Sequence, residues 1–456
     1  MKQTANLKLA LAGVVLAALP AYAAVPEVTG VRMSQSETSR RVKIVYTLSE
    51  PAVVTLDIQT NAMDGTWASI GGEAVGAATG DVWKRVGAGP RTIKWQPDTA
   101  WPGHKVADGG ARAVVTAWAF DNTPDYLVVD ISANAQPNTQ RYYPSAEFLP
   151  GGLLGNDDYR KTSIVLRKVM AKDVTWTMGS TPLETNRDGK REATHQVTLT
   201  NNYYVGVFPV TQAQWVLIQP ARTDPYFTWF NNPAARAMRP VEQVSYNEIR
   251  NAANATTADP AYDWPNDPHP KSFLGLLRTK TGIDFDLPSE AQWEFAARAG
   301  NGDTKWGDGS GILNTDPDAN LNHFGRYEKN GGKVVNDEGK YAVPTRDCGA
   351  ENGTAIVGSY APNAWGIYDT AGNVWELCLD WYEDNISAYG GKVNIDLANP
   401  ANTLSGTVGG NRVRRGGSWY EGVGVARPAY RGSWAPNTRI GGQILGFRVV
   451  CTAGLH

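Results

Sequence analysis

Short runs in which apolar and polar residues alternate dominate the first third of the chain. Val42-Lys43-Ile44-Val45-Tyr46-Thr47 and Val53-Val54-Thr55-Leu56-Asp57-Ile58 are rich in β-branched residues, and Ser49-Glu50-Pro51 separates them, which predicts two neighbouring strands joined by a turn. The same pattern returns at 91–95, 113–118 and 126–130. No helical period interrupts it, so residues 25–134 are expected to fold as a small all-β sandwich. Residues 135–160, with Gln136, Pro137, Asn138 and Gln140, read as a polar linker.

A different texture begins near residue 161 and runs to 456. Ser163-Ile164-Val165-Leu166 predicts a strand, and helical spacing is clearest over Ser289 to Arg298. There Ser289 and Gln292 form a capping box, Trp293, Phe295, Ala296 and Ala297 supply an apolar face, and Gly300 marks the end. Ser245 and Glu248 stand in the same relation and predict a second helix over 244–253. Long connections over 216–240, 254–271 and 300–360 fill the rest. Connections of that length are usually functional or disordered, and a bound metal could order them.

The first residues carry a separate message. Lys2 and Lys8 precede an apolar run from Leu9 to Leu19, and Ala21-Tyr22-Ala23 is a small-x-small cleavage site. Residues 1–23 are read as a signal peptide, and the mature protein as periplasmic or secreted. Pro20 closes the run too early for a bilayer span, so no integral membrane segment is expected after its removal.

Composition narrows the function classes. Across 456 residues, 43 Lys+Arg oppose 45 Asp+Glu, a net charge of −2 that lacks the basic surplus of a nucleic-acid binder. Gly (48), Pro (27), Trp (16) and Tyr (19) describe a loop-rich globular protein and exclude coiled coils and long bundles. Cys348, Cys378 and Cys451 form no CxxC pattern, and the five histidines are too scattered for a preformed histidine-rich iron, zinc or copper site.

Several ordered segments of the second region carry a family resemblance. They begin with Met178-Gly179-Ser180, His195-Gln196-Val197-Thr198-Leu199 and Pro209-Val210-Thr211-Gln212-Ala213-Gln214-Trp215. Leu287-Pro288-Ser289-Glu290-Ala291-Gln292-Trp293-Glu294 and Asn363-Ala364-Trp365-Gly366-Ile367-Tyr368-Asp369 follow. Gly372-Asn373-Val374-Trp375-Glu376-Leu377, Arg415-Gly416-Gly417-Ser418-Trp419 and Gly446-Phe447-Arg448-Val449 complete the set. In this order they resemble the sulfatase-modifying-factor family, to which the formylglycine-generating enzyme belongs. The resemblance implies an α+β, C-type-lectin-like fold with little regular structure. The preceding sandwich loosely resembles immunoglobulin-like modules of bacterial secreted proteins, for which a spacer or docking role is the default.

The resemblance also implies what is missing. Copper-dependent members carry two cysteines shortly after Arg-Gly-Gly-Ser, because thiolates are the soft ligands that hold Cu(I). Here Glu421 and Ala426 occupy those positions, so copper and oxidation of a sulfatase cysteine are not expected. The sequence also lacks the added helical bundle and histidine cluster of the ergothioneine-type branch. An exported branch without the cysteine pair, the pyoverdine-maturing one, is closer in character. By that likeness Glu421 is the candidate acid/base, with Ser418 and Arg427 beside it, acting on a peptide or peptide-derived molecule. A catalytically silent module binding a peptide, small molecule or glycan is the alternative. Trp419, Tyr420, Tyr430 and Trp434 are its candidate stacking surface, while Trp215, Trp293, Trp365 and Trp375 read as core.

For a structural calcium ion the family pattern implies Asp369, the carbonyls of Gly372 and Val374, and Glu376, a set of hard oxygen donors. A second site would use Asn322 and the carbonyl of His323, with the further Asp ligand either Asp347 or missing. The run Asp316, Asp318, Asn320, Asn322 lacks the Gly and Glu of an EF-hand. The resemblance also brings Cys378 and Cys451 onto neighbouring strands, where export would permit a bridge.

Overall fold

The computed structural model describes residues 25–62, 64–220, 235–252, 259–313, 315–330, 334–335, 341–342, 353–386, 410–439 and 444–453. The signal-peptide reading, Asp347 and Cys348 lie outside them, as do parts of the three long connections.

Two antiparallel sheets make up the N-terminal region. One orders the strands Val28–Gln35, Val42–Leu48, Gly89–Trp95 and Thr79–Gly80. The other is centred on Ala52–Asn61, which pairs with Trp67–Ser69, Lys84–Val86 and Ala111–Trp118. Val42, Ile44, Tyr46 and Leu48 alternate inward, as the sequence pattern requires, and meet Val54, Leu56 and Ile58 of the second sheet in one apolar cluster.

The strand Tyr126–Asp130 belongs elsewhere. Read from sequence as the last strand of the first region, it pairs with Ser163–Val169 inside a five-stranded sheet. The order there is Arg141–Tyr143, Tyr126–Asp130, Ser163–Val169, Tyr203–Gly206 and Val450–Thr452. Arg141–Tyr143, within the stretch read as linker, is its edge strand. Tyr126–Val129 are buried on both faces. Leu127 and Val129 point into the core of the second region, while Tyr126 and Val128 join the N-terminal cluster. The N-terminal sheets therefore cover the outer face of this central sheet and share its core.

Most of the second region is irregular, with few helices. Glu290–Arg298 forms under a Ser289–Gln292 capping box, and its C-cap is Ala299 in the left-handed region, one residue before Gly300. Ser245 and Glu248 exchange the expected cap bonds, but the turn they start winds as a π-helix over Asn247–Asn251. Gln212–Ile218 and Phe273–Thr281, capped by Thr211 and Ser272, are helices that sequence periodicity missed. A four-stranded sheet orders Gly432–Trp434, Arg412–Arg415, Trp375–Trp381 and Leu445–Gly446, and it carries the site.

Candidate functional site

Buried ion pairs hold the irregular loops around this sheet. Arg415 bonds Glu290 (3.1 Å) and Glu294, both on the helix Glu290–Arg298, and Arg431 grips Glu290 from the other side. Those side chains are almost completely buried, so each charge has left water and depends on its partner. The two cations hold the Glu290 carboxyl below its usual range against the upward push of burial.

The Arg-Gly-Gly-Ser segment follows directly from Arg415. Gly416 and Gly417 have φ values of +90° and +68°, and a Cβ on Gly417 would stand 3.0 Å from the backbone of Val425 and Ala426. This turn brings Ser418 against the loop that follows. Ser418 Oγ donates to Glu421 Oε2 and accepts from the Tyr420 N–H at 3.2 Å. The other carboxyl oxygen, Oε1, accepts from Trp375 Nε1 at 2.9 Å. Glu421 is half-buried and, among the described residues, meets no cation within ion-pair distance. The structure thus brings the predicted Ser418 and Glu421 into contact.

Arg427 is committed differently. Its guanidinium bonds Glu184 and both oxygens of Glu192 (2.8 and 2.9 Å), as well as the carbonyls of Asn186 and Gly424. With every nitrogen engaged, it ties the loop 184–192 to the helix Val423–Ala426, which makes it a scaffold residue. Ala426, at the second thiol position, is buried in an apolar cluster with Trp306, Leu321 and Tyr327.

The calcium expectation meets the same chemistry. Glu376 is fully buried, gives both oxygens to Arg448, and also accepts from Trp293 Nε1 at 2.6 Å. Asp369 accepts from the Gly358 N–H (2.8 Å) and from Asn373 Nδ2 (3.1 Å), and burial pushes its carboxyl up to about 6. A carboxylate that already gives both oxygens to a guanidinium does not fit a calcium ion as placed. Gly372 and Val374 are buried beside the two acids.

At the second loop, Asp318 caps the helix Ala319–Phe324 through the N–H groups of Asn320 and Leu321. Asn322 Oδ1 accepts from Tyr327 (2.8 Å), and the His323 carbonyl accepts from Ala361 (2.9 Å). The alternating oxygens are a helix cap and a turn.

Cys378 and Cys451 are buried free thiols in different sheets. The two strands are not neighbours, so the expected bridge does not form. Burial pushes the Cys451 thiol up to about 12 and Cys378 well above its ordinary value, the opposite of a reactive thiolate. Trp419 is fully buried and offers no stacking face, whereas Tyr430 and Trp434 are half-buried.

With this geometry in place, the comparison that decides the family is a sequence model. The model of the sulfatase-modifying factor enzyme 1-like domain matches residues 162–453. The chain belongs to that family. It is 36% identical over 175 residues to the formylglycine-generating enzyme of Streptomyces coelicolor, covering 37% of this chain and 47% of that one. It is 28% identical over 270 residues to the chaperone protein LppX of Paenibacillus barcinonensis, covering 56% and 81%. The chain thus spans less than half the length of the Streptomyces enzyme. Among solved structures, PvdO from Pseudomonas aeruginosa aligns at a TM-score of 0.43 and 21% identity, over 63% of this chain and 94% of that one. Treponema denticola variable protein 1 aligns at 0.42 and 22%, over 64% and 96%. At these scores the structures say nothing of activity. No helix among the described residues is long and apolar enough to cross a membrane.

Proposed function

We propose that this family member is an exported, oxidoreductase-type enzyme that modifies a peptide or peptide-derived substrate without a copper-binding cysteine pair. Glu421 is its acid/base group. The observation that carries this reading is the state of Glu421. It stands at a thiol position of the family, oriented by Trp375 Nε1 and Ser418 Oγ, with no cation within ion-pair distance among the described residues and Arg414 acting on it only through space. Glu184, Glu192, Glu290, Glu294 and Glu376 nearby are all held in ion pairs. Neutral donors fix a carboxyl in place and leave its proton exchange open, which a general acid or base needs. Export rests on the N-terminal sequence pattern.

The test compares cells carrying wild type with cells carrying Glu421→Gln, by mass spectrometry of their peptides and peptide-derived products. We expect a modified species that depends on the wild-type protein and disappears with the variant. Identical profiles would overturn the enzyme reading and favour a binding module. A Cys-x-Pro-x-Arg peptide incubated with the protein and copper should yield no aldehyde, because Glu421 and Ala426 replace the thiols.

A further inference from the structure

Within residues 412–448, every described arginine but one holds a carboxyl group. Arg412 bonds Asp263, Arg415 bonds Glu290 and Glu294, and Arg427 bonds Glu184 and Glu192. Arg431 bonds Glu290, Arg439 bonds Glu248 and Arg448 bonds Glu376. Arg414 is the exception. Its Nε and Nη1 are buried without an acceptor. Its guanidinium carbon lies 4.3 Å from the Trp375 ring centre and 4.8 Å from that of Trp434.

The fold makes room for this arrangement. A Cβ on Gly432 would stand 3.0 Å from Arg414 Nε and 3.1 Å from the Trp375 ring, so a larger residue would fit only if these groups shifted. Stacking satisfies the face of a guanidinium but leaves its in-plane N–H donors unmet, and buried donors without acceptors are costly. The side chain remains partly exposed. One indole links it to the candidate acid/base, since the Trp375 ring lies against Arg414 while Trp375 Nε1 donates to Glu421.

We propose that Arg414 is the anion-binding residue of this site and receives a carboxylate group of the ligand. The proposal rests on reading the Glu421 region as the functional site. The planar fork of arginine matches a carboxylate bidentately. A phosphate dianion would bring two negative charges beside Glu421, which already acts on Arg414 through space, whereas a carboxylate brings one. A carboxylate on Arg414 sets the remainder of the ligand beside the Glu421 carboxyl, across Trp375, with the half-buried Tyr430 and Trp434 available to flat apolar parts.

The test is a ligand-observed NMR titration of the full chain with benzoate, benzamide and phenyl phosphate. Wild type should bind benzoate saturably in the millimolar range and bind the other two at least tenfold more weakly. Arg414→Gln should weaken benzoate at least tenfold, and Arg414→Lys by less, with melting temperatures close to wild type. Glu421→Gln should bind benzoate as well as wild type or better. The proposal is overturned if benzoate does not saturate wild type, if Arg414→Gln binds it equally, or if benzamide or phenyl phosphate binds as tightly. If Arg414→Gln fails to fold, Arg414→Lys decides. Binding is read without turnover, so the two readings separate. Arg414-dependent binding alongside unchanged cell products for Glu421→Gln would remove the catalytic reading and leave this one standing.

Discussion

The N-terminal sheets and the family-matched region solve the same problem with different materials. Val42, Ile44, Tyr46, Leu48, Val54, Leu56 and Ile58 build a core of alternating apolar residues on regular strands, with no buried ion pair among them. The second region has too little regular structure to satisfy its loops through backbone ladders alone. It anchors them with guanidinium groups that bond carboxylates and stray carbonyls together, as Arg448 does for Glu376, Gly206 and Tyr368. One core is stabilised by area, which tolerates modest change. The other adds ion pairs to its own apolar core, and there removal of either partner strands a buried charge. Against that background, Glu421 and Arg414, half-buried and outside any ion pair among the described residues, are available to meet a ligand.

The comparison predicts a ranking. Arg448→Met should cost most, about 3–5 kcal/mol in denaturant unfolding, because it leaves Glu376 buried without its cation. Ile44→Ala in the N-terminal core should cost about 2–4 kcal/mol. A loss below about 1 kcal/mol for Arg448→Met would remove the contrast between the two regions.

Asp369 gives a smaller effect with a defined sign. Burial raises its carboxyl to about 6, so the folded state holds the proton more tightly than the unfolded chain does. Its contribution is therefore fully present below about pH 4 and is lost as the pH rises through 6. The stability difference between wild type and Asp369→Asn should shift by about 3 kcal/mol across that window, to the disadvantage of wild type at high pH. A flat difference would place Asp369 in contact with water or a cation.

Calcium should have the smallest effect. With Glu376 held by Arg448, melting temperatures in chelator and in millimolar calcium should coincide. A rise of several degrees would show that the ion displaces Arg448, and would restore the ligand set expected from the family pattern.

The sequence spoke clearly where structure is local. The Ser289–Gln292 cap and the strands at 42–48 and 52–61 depend on neighbours a few residues away. It spoke poorly where partners are distant. Tyr126–Asp130 reads as one more strand of its own neighbourhood, yet burial on both faces sends it into the central sheet. Arg427 and Glu376 lie in motif segments that suggest reactive or metal-binding roles, because a sequence gives the sign of a charge and not its partner. Glu421 was legible through the thiol position it occupies. Arg414, inside the run Arg412-Val413-Arg414-Arg415, looked like one more basic residue, and only the pairing of its neighbours singles it out.

The central claim is that paired charges hold this fold, whereas the proposed site uses Glu421, which stands outside those pairs. Its most direct test is denaturant unfolding of Glu376→Gln and Glu421→Gln side by side. The account predicts a loss of about 3–5 kcal/mol for Glu376→Gln, which strands Arg448, and about 1 kcal/mol or less for Glu421→Gln, which strands no cation. Equal, large losses would make Glu421 another structural anchor and contradict the claim.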